Sequence, residues 1–403
     1  MNMLKLSWQY LWSRPLTTSL NLLLLTLSLA AMAFVLIAQD QLDRAFERDL
    51  RGIDAVVGAK GSPMQLILSG VFQMDAPTGN ISLADFDVLR KNLDVAQAIP
   101  LSMGDNLQGF RIIGTTTDYP THYGATLAQG QWWTRSMEAV LGAQAARVTG
   151  LKIGQSFVGA HGLGNGGAVH GNSHYAVTGV LAACGCVLDR LVLTATESVW
   201  EVHDDMHATD DMDDEDRAAI AADREVTAAL IRYKSPLATL SFPRYINSAT
   251  DMQAASPALE VARLMSLFSV GAQVLQGLGV VLLGMAGLSV FIALWNAVRE
   301  RHMDLAMLRM LGASPLKVGA LLLCESLWLA SVACVLGLLA AHGLMALLGA
   351  MAMAEQSLTV DAWRWTPYEA GVPLMAFGVA VVAALVPAIS AYRVDVTHLL
   401  TTR

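Results

Sequence analysis

Charge is scarce in this chain. Only 15% of its 403 residues are charged, while 54% are hydrophobic. A soluble domain carries about a quarter charged residues. The deficit is local, which indicates a membrane protein with one water-exposed portion. Cysteine is scarce too, at four residues. Cys324 and Cys334 fall in an apolar run and read as small packing residues. Cys184 and Cys186 are two apart, a spacing that bridges only with strain, so no disulfide framework is expected. No Gly-Lys dipeptide occurs. That excludes a phosphate-cradling P-loop, whose lysine reaches the phosphates. No Gly-x-Ser-x-Gly occurs either, so the hydrolase nucleophile elbow is absent. No fixed-period repeat is present.

Long apolar runs are what the chain does have. Four reach the roughly 20 residues needed to span a bilayer. We place spans at 16–38, 264–298, 316–353 and 370–391. The first run is too long for a signal-peptide core, so it reads as a span. Residues 1–15 form an interfacial helix, with Leu4, Trp8, Leu11 and Trp12 at helical spacing. Residues 39–263 form a large domain between spans one and two, and 354–369 a short loop between spans three and four. Residues 299–315 are a charged segment between spans two and three, and 392–403 a tail.

Basic residues orient the spans. Lys5 and Arg14 flank the first, and Arg299, Arg301, Arg309 and Lys317 join spans two and three. The loop between spans three and four is acidic, with Glu355, Asp361 and Glu369 against Arg364. Both termini are therefore expected in the cytoplasm, with 39–263 outside. Nine of 26 basic and seven of 34 acidic residues lie outside that domain, leaving it 17 basic and 27 acidic and a net charge of −10. Nucleic acid is excluded as partner, because phosphate recognition wants a basic footprint.

The domain mixes strands and helices. Asp54–Ala59, Gly109–Thr115, Tyr175–Leu181, Arg190–Thr194 and Ala228–Tyr233 carry strand patterns. Ser82 and Asp85 cap a helix toward Leu93, and a second helix runs from Ala143 to Thr149 with Gly150 as its C-cap. Two stretches read as loops: the glycine-rich Gly159–Gly171 and the acidic His203–Arg217. A helix restarting near Pro257 continues into span two.

Candidate sites are few. His203, Asp204, Asp205 and His207 combine two imidazoles four apart with two carboxylates, which suits Zn²⁺ or another divalent ion. The bland alternative is a solvated acidic loop. Glu325 sits inside span three, where a carboxylate is expensive; either it is functional or it hydrogen-bonds a neighbouring helix. His342 reads as a packed or interfacial histidine. In 299–314, Met303, Met307, Met310 and Leu311 share one helical face, Gly312 suits a C-cap, and Pro315 opens the next helix. Spacing alone leaves a docking site and a lipid-lying linker equally open.

The segment RERHMDLAMLRMLGAS, with Glu325 eleven residues on, resembles the hallmark of FtsX/MacB-type ABC transporter permeases. The ending PAISAYRVDVTHLL, the entry WQYLWSRPLTTSLNLLLLTLSLA, and LAQGQWW followed by EAVLGAQAARVTGLKIGQSF are similar to that family in order along nearly the whole chain. Ile53–Ser82 resembles only a subgroup, from Gram-negative bacteria. The resemblance implies an α-helical membrane protein with four transmembrane helices and a large α+β extracytoplasmic domain, the MacB-like periplasmic core, between helices one and two. It implies a bacterial inner-membrane permease subunit, not itself an enzyme. It would work as a homodimer or with a paralogous permease, on a separate cytoplasmic ABC ATPase dimer that binds ATP and Mg²⁺. Mechanotransmission would then move or release a substrate on the periplasmic side, with a periplasmic protein as possible further partner. Carried over by position, the coupling residues are Arg301, Asp304, Leu305, Leu308 and Gly312. Two rivals of other classes stand beside this: a non-transporting transmembrane regulator of a periplasmic partner such as a cell-wall enzyme, and a metal-sensing membrane receptor.

Overall fold

The computed structural model describes residues 3–162, 169–207, 224–354 and 361–392. It divides into two units. One comprises Met1–Asp43, Leu267–Met353 and Leu358–Arg403; the other comprises Arg44–Ser266 and Ala354–Ser357.

The first unit is helical. Among the described residues, four helices are long and apolar enough to cross a membrane: Pro15–Leu50, Pro257–Glu300, Pro315–Met351 and Pro367–Tyr392. The first and second run well past the apolar stretches that the sequence marks. Each is one unbroken helix, of 36 and 44 residues. No glycine–proline break interrupts them, so the pattern simply continues from apolar to mixed sequence. Small residues line the shared core, among them Ala286, Ala330, Ala333, Ala376, Ala380 and Ala384. Small side chains let membrane helices approach closely. At Gly337 a Cβ would sit 3.0 Å from the Leu29 Cβ and 3.3 Å from the Thr26 carbonyl oxygen, so any side chain there would crowd that crossing. Polar pairs add direction to the packing. Ser289 Oγ donates to Asn21 Oδ1 at 2.6 Å, and Gln276 Nε2 to Gln39 Oε1 at 3.1 Å, each joining the first and second spans.

The second unit is α+β. Its strands are β1 (Ala55–Ala59), β2 (Ile81–Ser82), β3 (Val95–Leu107), β4 (Phe110–Thr115), β5 (Leu127–Gly130) and β6 (Glu138–Leu141). They continue with β7 (Ser156–His161), β8 (Val169–Leu181), β9 (Leu191–Ala195), β10 (Glu225–Val226), β11 (Ala228–Tyr233) and β12 (Met252–Ala255). Ten of these form one sheet in the order β12-β1-β11-β3-β4-β9-β6-β8-β5, with β7 pairing β3 and β8; β2 and β10 pair separately. The pairs β4/β9 and β6/β8 are parallel.

Side chains alternate across the strands, and both faces of the sheet are covered. On β1 and β11, Val56, Ala228 and Leu230 face the helix Pro63–Gly70 through Leu66 and Ile67. Ala55, Val57, Ala229 and Ile231 point the other way, onto Phe86, Leu89, Phe242 and Ile246 of the helices Leu83–Lys91 and Ala238–Ala249. The capping expected at Ser82 is present: the Asp85 amide donates to its Oγ at 3.0 Å. Gly150 ends Ala143–Thr149 with φ 70°.

Three local expectations are corrected. The flanks of the glycine-rich stretch are strands, the ends of β7 and β8, because Ala160 pairs with Val169. The backbone of His203–His207 is helical, closing the helix Thr196–His207. Cys184 and Cys186 are bonded to each other. Gly185 between them takes φ 64°, which brings their Cα atoms to 5.1 Å, inside the range a disulfide spans.

Candidate functional site

The charged segment between the second and third spans is shorter as a helix than its sequence pattern. Arg299 and Glu300 belong to the preceding long helix, Arg301 marks the break, and the short helix is His302–Met310. Gly312 leaves it at φ 95°, a conformation that disfavours any side chain, and Pro315 opens the third span.

Arg301 holds the break in place. Its guanidinium donates to Glu325 Oε1 at 3.2 Å, to the Tyr10 carbonyl at 2.8 Å and to Ser13 Oγ at 2.6 Å. It also lies 4.5 Å over the Tyr10 ring, within cation–π range. One side chain thus ties the short helix to the N-terminal helix Met3–Leu11 and to the third span. The Arg301 and Glu325 side chains are 12% and 4% exposed, so this ion pair is shielded from water. Burial raises the pKa of Tyr10; the nearby Asp304 and Glu325 act in the same direction, and Arg301 opposes them. Beside this knot, Arg14 pairs with Glu300 in a more open ion pair.

The two faces of the short helix differ. Leu305 is buried in the helical core, Leu308 packs against that core, and Ala306 is buried as well. Met303, Met307 and Met310 are 63%, 51% and 57% exposed, and Leu311 84%. Asp304 and Gly312 are exposed as well. A cavity of about 230 Å³ lies beside this helix, lined by Met3, Leu6, Leu308, Gly312 and Lys317 among others. The five expected coupling residues therefore divide. Arg301, Leu305 and Leu308 face the protein, and Asp304 and Gly312 face outward. Tyr10, Ser13, Arg14 and Glu300 were not singled out from sequence. A carboxylate ten residues into an apolar helix calls for a cation, and Arg301 is one of four basic residues between spans two and three; nothing in the sequence points to Tyr10 or Ser13.

The metal candidates fare differently. The side chains of His203, Asp204, Asp205 and His207 lie outside the described residues. Among the described residues, no group of three or more His, Cys, Asp or Glu side chains is arranged to hold a metal ion. Cys184 and Cys186, joined as a disulfide, are not thiolate ligands. His342 is buried; its Nδ1 is 2.7 Å from the Ala362 carbonyl oxygen and its Nε2 3.0 Å from Glu369 Oε2.

Comparison with known proteins found two family models. Residues 277–396 match the FtsX-like permease C-terminal model, and residues 18–228 match the MacB-like periplasmic core domain. A search of curated proteins found no match. Among solved structures, the periplasmic region of MacB from Actinobacillus actinomycetemcomitans aligns at 12% identity with TM-score 0.36, covering 54% of this chain and 96% of that one. The extracellular domain of the noncanonic ABC-type transporter YknZ from Gram-positive bacteria aligns at 12% identity with TM-score 0.31, covering 51% and 99%. The periplasmic-core model alone spans more than half of the 403 residues, and the permease model follows it in chain order. The chain belongs to the FtsX/MacB-type permeases, membrane components of ABC-type transporters.

Proposed function

We propose that this permease converts ATP-driven closure of a separate cytoplasmic ATPase dimer into motion of its α+β domain on the periplasmic side. It does so as one half of a homodimer or of a pair with a paralogous permease. The motion moves or releases a substrate outside the inner membrane, and both chain termini are cytoplasmic. The basic flanks around Arg14 and Arg299–Lys317 support this orientation. No Gly-Lys dipeptide occurs in these 403 residues, which fits ATP binding outside them.

One observation carries the reading. A nine-residue helix between two membrane-length helices is fastened inward and bare outward. Arg301 and Leu305 seat it, while Met303, Met307 and Met310 present an unbranched, adaptable apolar surface. A helix seated that way passes a push on its outer face to the spans instead of absorbing it. The ATPase therefore docks on the methionine face and on Asp304, and Leu305 and Leu308 transmit.

The test is co-purification with the ATPase from detergent. Met307→Asp is expected to lose the ATPase and keep the thermal stability of the permease. Leu308→Asp is expected to lower that stability, because its side chain packs against the helical core. Full recovery of the ATPase with Met307→Asp would overturn the docking assignment.

A further inference from the structure

The Cys184–Cys186 bond sits in a turn that does not need it. A disulfide stabilises a fold by restricting the unfolded chain, and the effect grows with the length of the loop it closes. Here the two cysteines are two apart. The turn is already held in other ways. Cys186, Val187 and Leu188 are buried in the domain core. Asp189 Oδ1 accepts from the Cys184 amide at 3.0 Å, and Oδ2 from the Gly185 amide at 2.7 Å. The Val187 amide donates to Asp49 Oδ1 at 3.3 Å.

The two cysteines are unequally buried. Cys186 is 5% exposed, whereas Cys184 is half-buried. Asp189 Oδ1 also lies 3.5 Å from Cys184 Sγ. A disulfide sulfur has no proton to give that carboxylate, but a Cys184 thiol does. The Cys186 amide donates to the same sulfur at 3.1 Å, a contact that also stabilises a thiolate there. The turn is thus furnished for a reduced Cys184 as well as for the bonded form.

We propose that Cys184–Cys186 is an exchangeable disulfide, a two-electron thiol–disulfide site that an external dithiol enters through the Cys184 sulfur. A thiolate of the dithiol attacks Cys184 Sγ. The Sγ–Sγ bond breaks, and Cys186 leaves as a thiolate and takes up a proton. The second thiol of the dithiol, deprotonated in turn, attacks its own partner sulfur in the mixed disulfide. Cys184 is released as a thiolate and is protonated. The external dithiol ends as a disulfide, and its two electrons and two protons reside on Cys184 and Cys186. The less buried residue, Cys184, sets the direction of attack, since exchange requires access to the attacked sulfur.

The test uses the full-length protein in detergent, with Cys324 and Cys334 blocked beforehand and dithiothreitol as the probe. Reduction is followed by alkylation and site-resolved mass spectrometry. The expected result is opening without denaturant, at a rate proportional to dithiothreitol concentration. In Cys186→Ala, Cys184 is expected to form a mixed disulfide with oxidised glutathione at least tenfold faster than Cys186 does in Cys184→Ala. A reduction rate that plateaus at the unfolding rate, independent of dithiothreitol, would overturn the proposal on the wild-type protein alone. Equal reactivity of the two single-cysteine variants in their folded state would overturn the assigned point of attack.

Discussion

At one end of the helical unit Arg301 reaches Glu325, Tyr10 and Ser13; at the other, His342 reaches Glu369 and the Ala362 carbonyl. Glu325 and His342 stand on the same helix, roughly 26 Å apart by the α-helical rise. Both ends bury a carboxylate against a nitrogen base. They differ in what the base can do. A guanidinium never gives up its proton, so Glu325 faces a permanent charge. The imidazole offers two ring nitrogens, and both are engaged, one with Glu369 and one with the Ala362 carbonyl. The surroundings differ in the same sense. Arg301 draws on two distant segments, the N-terminal one and the third span, whereas His342 and Glu369 contact the nearby residues Ala362 and Thr366. Trp363 stacks on the imidazole at 5.9 Å and Trp365 lies at 5.1 Å. Glu369 Oε1 also accepts from the Thr366 amide at 2.8 Å. The first end ties together segments distant in sequence, and the second is a local closure.

Removing one partner at each end separates these readings. Glu325→Ala leaves the Arg301 guanidinium buried without its counter-charge, and the expected loss is about 3–5 kcal/mol. Denaturant unfolding in detergent measures it. The double change Arg301→Met with Glu325→Leu removes both charges and is expected to recover much of that loss. A double variant less stable than Glu325→Ala would show that Arg301 matters for its contacts to Tyr10 and Ser13, not for charge balance. At the other end, His342→Ala removes one hydrogen-bond partner of Glu369 and leaves its bond from the Thr366 amide in place. The expected loss is smaller, about 1–3 kcal/mol. A loss equal to that of Glu325→Ala would erase the distinction between the ends.

Much of this was legible in the sequence, for identifiable reasons. The four long apolar helices follow from hydropathy, and Ser82, Gly150 and Gly312 mark helix ends because their backbone roles admit few other residues. The orientation of His302–Met310 was not legible. Apolar periodicity points to Met303, Met307 and Met310 as one face, and in a soluble protein that face would be the buried one. Beside a membrane bundle both faces carry apolar residues, and Leu305 and Ala306 are buried instead. The Cys184–Cys186 bond was missed because spacing alone ignores the left-handed Gly185 between them. The partners of Arg301 were missed because Tyr10 and Ser13 are nearly three hundred residues away in sequence.

The weakest tie at the Arg301 end sharpens the comparison further. Arg14 and Glu300 form an ion pair, but their side chains are 33% and 59% exposed, against 12% and 4% for Arg301 and Glu325. The two pairs lie at the same end of the bundle and have the same chemistry, so exposure is the main variable between them. Solvent-exposed ion pairs contribute about 0–1 kcal/mol and weaken with salt. Arg14→Ala is therefore expected to cost less than about 1 kcal/mol. That cost should shrink further at high ionic strength, while the effect of Glu325→Ala should change little with salt. Parallel denaturation series at low and high salt measure both. If Arg14→Ala proved as costly as Glu325→Ala, burial would not be what ranks these contacts, and Arg14 would have to be counted with Arg301 as a fastening of the junction.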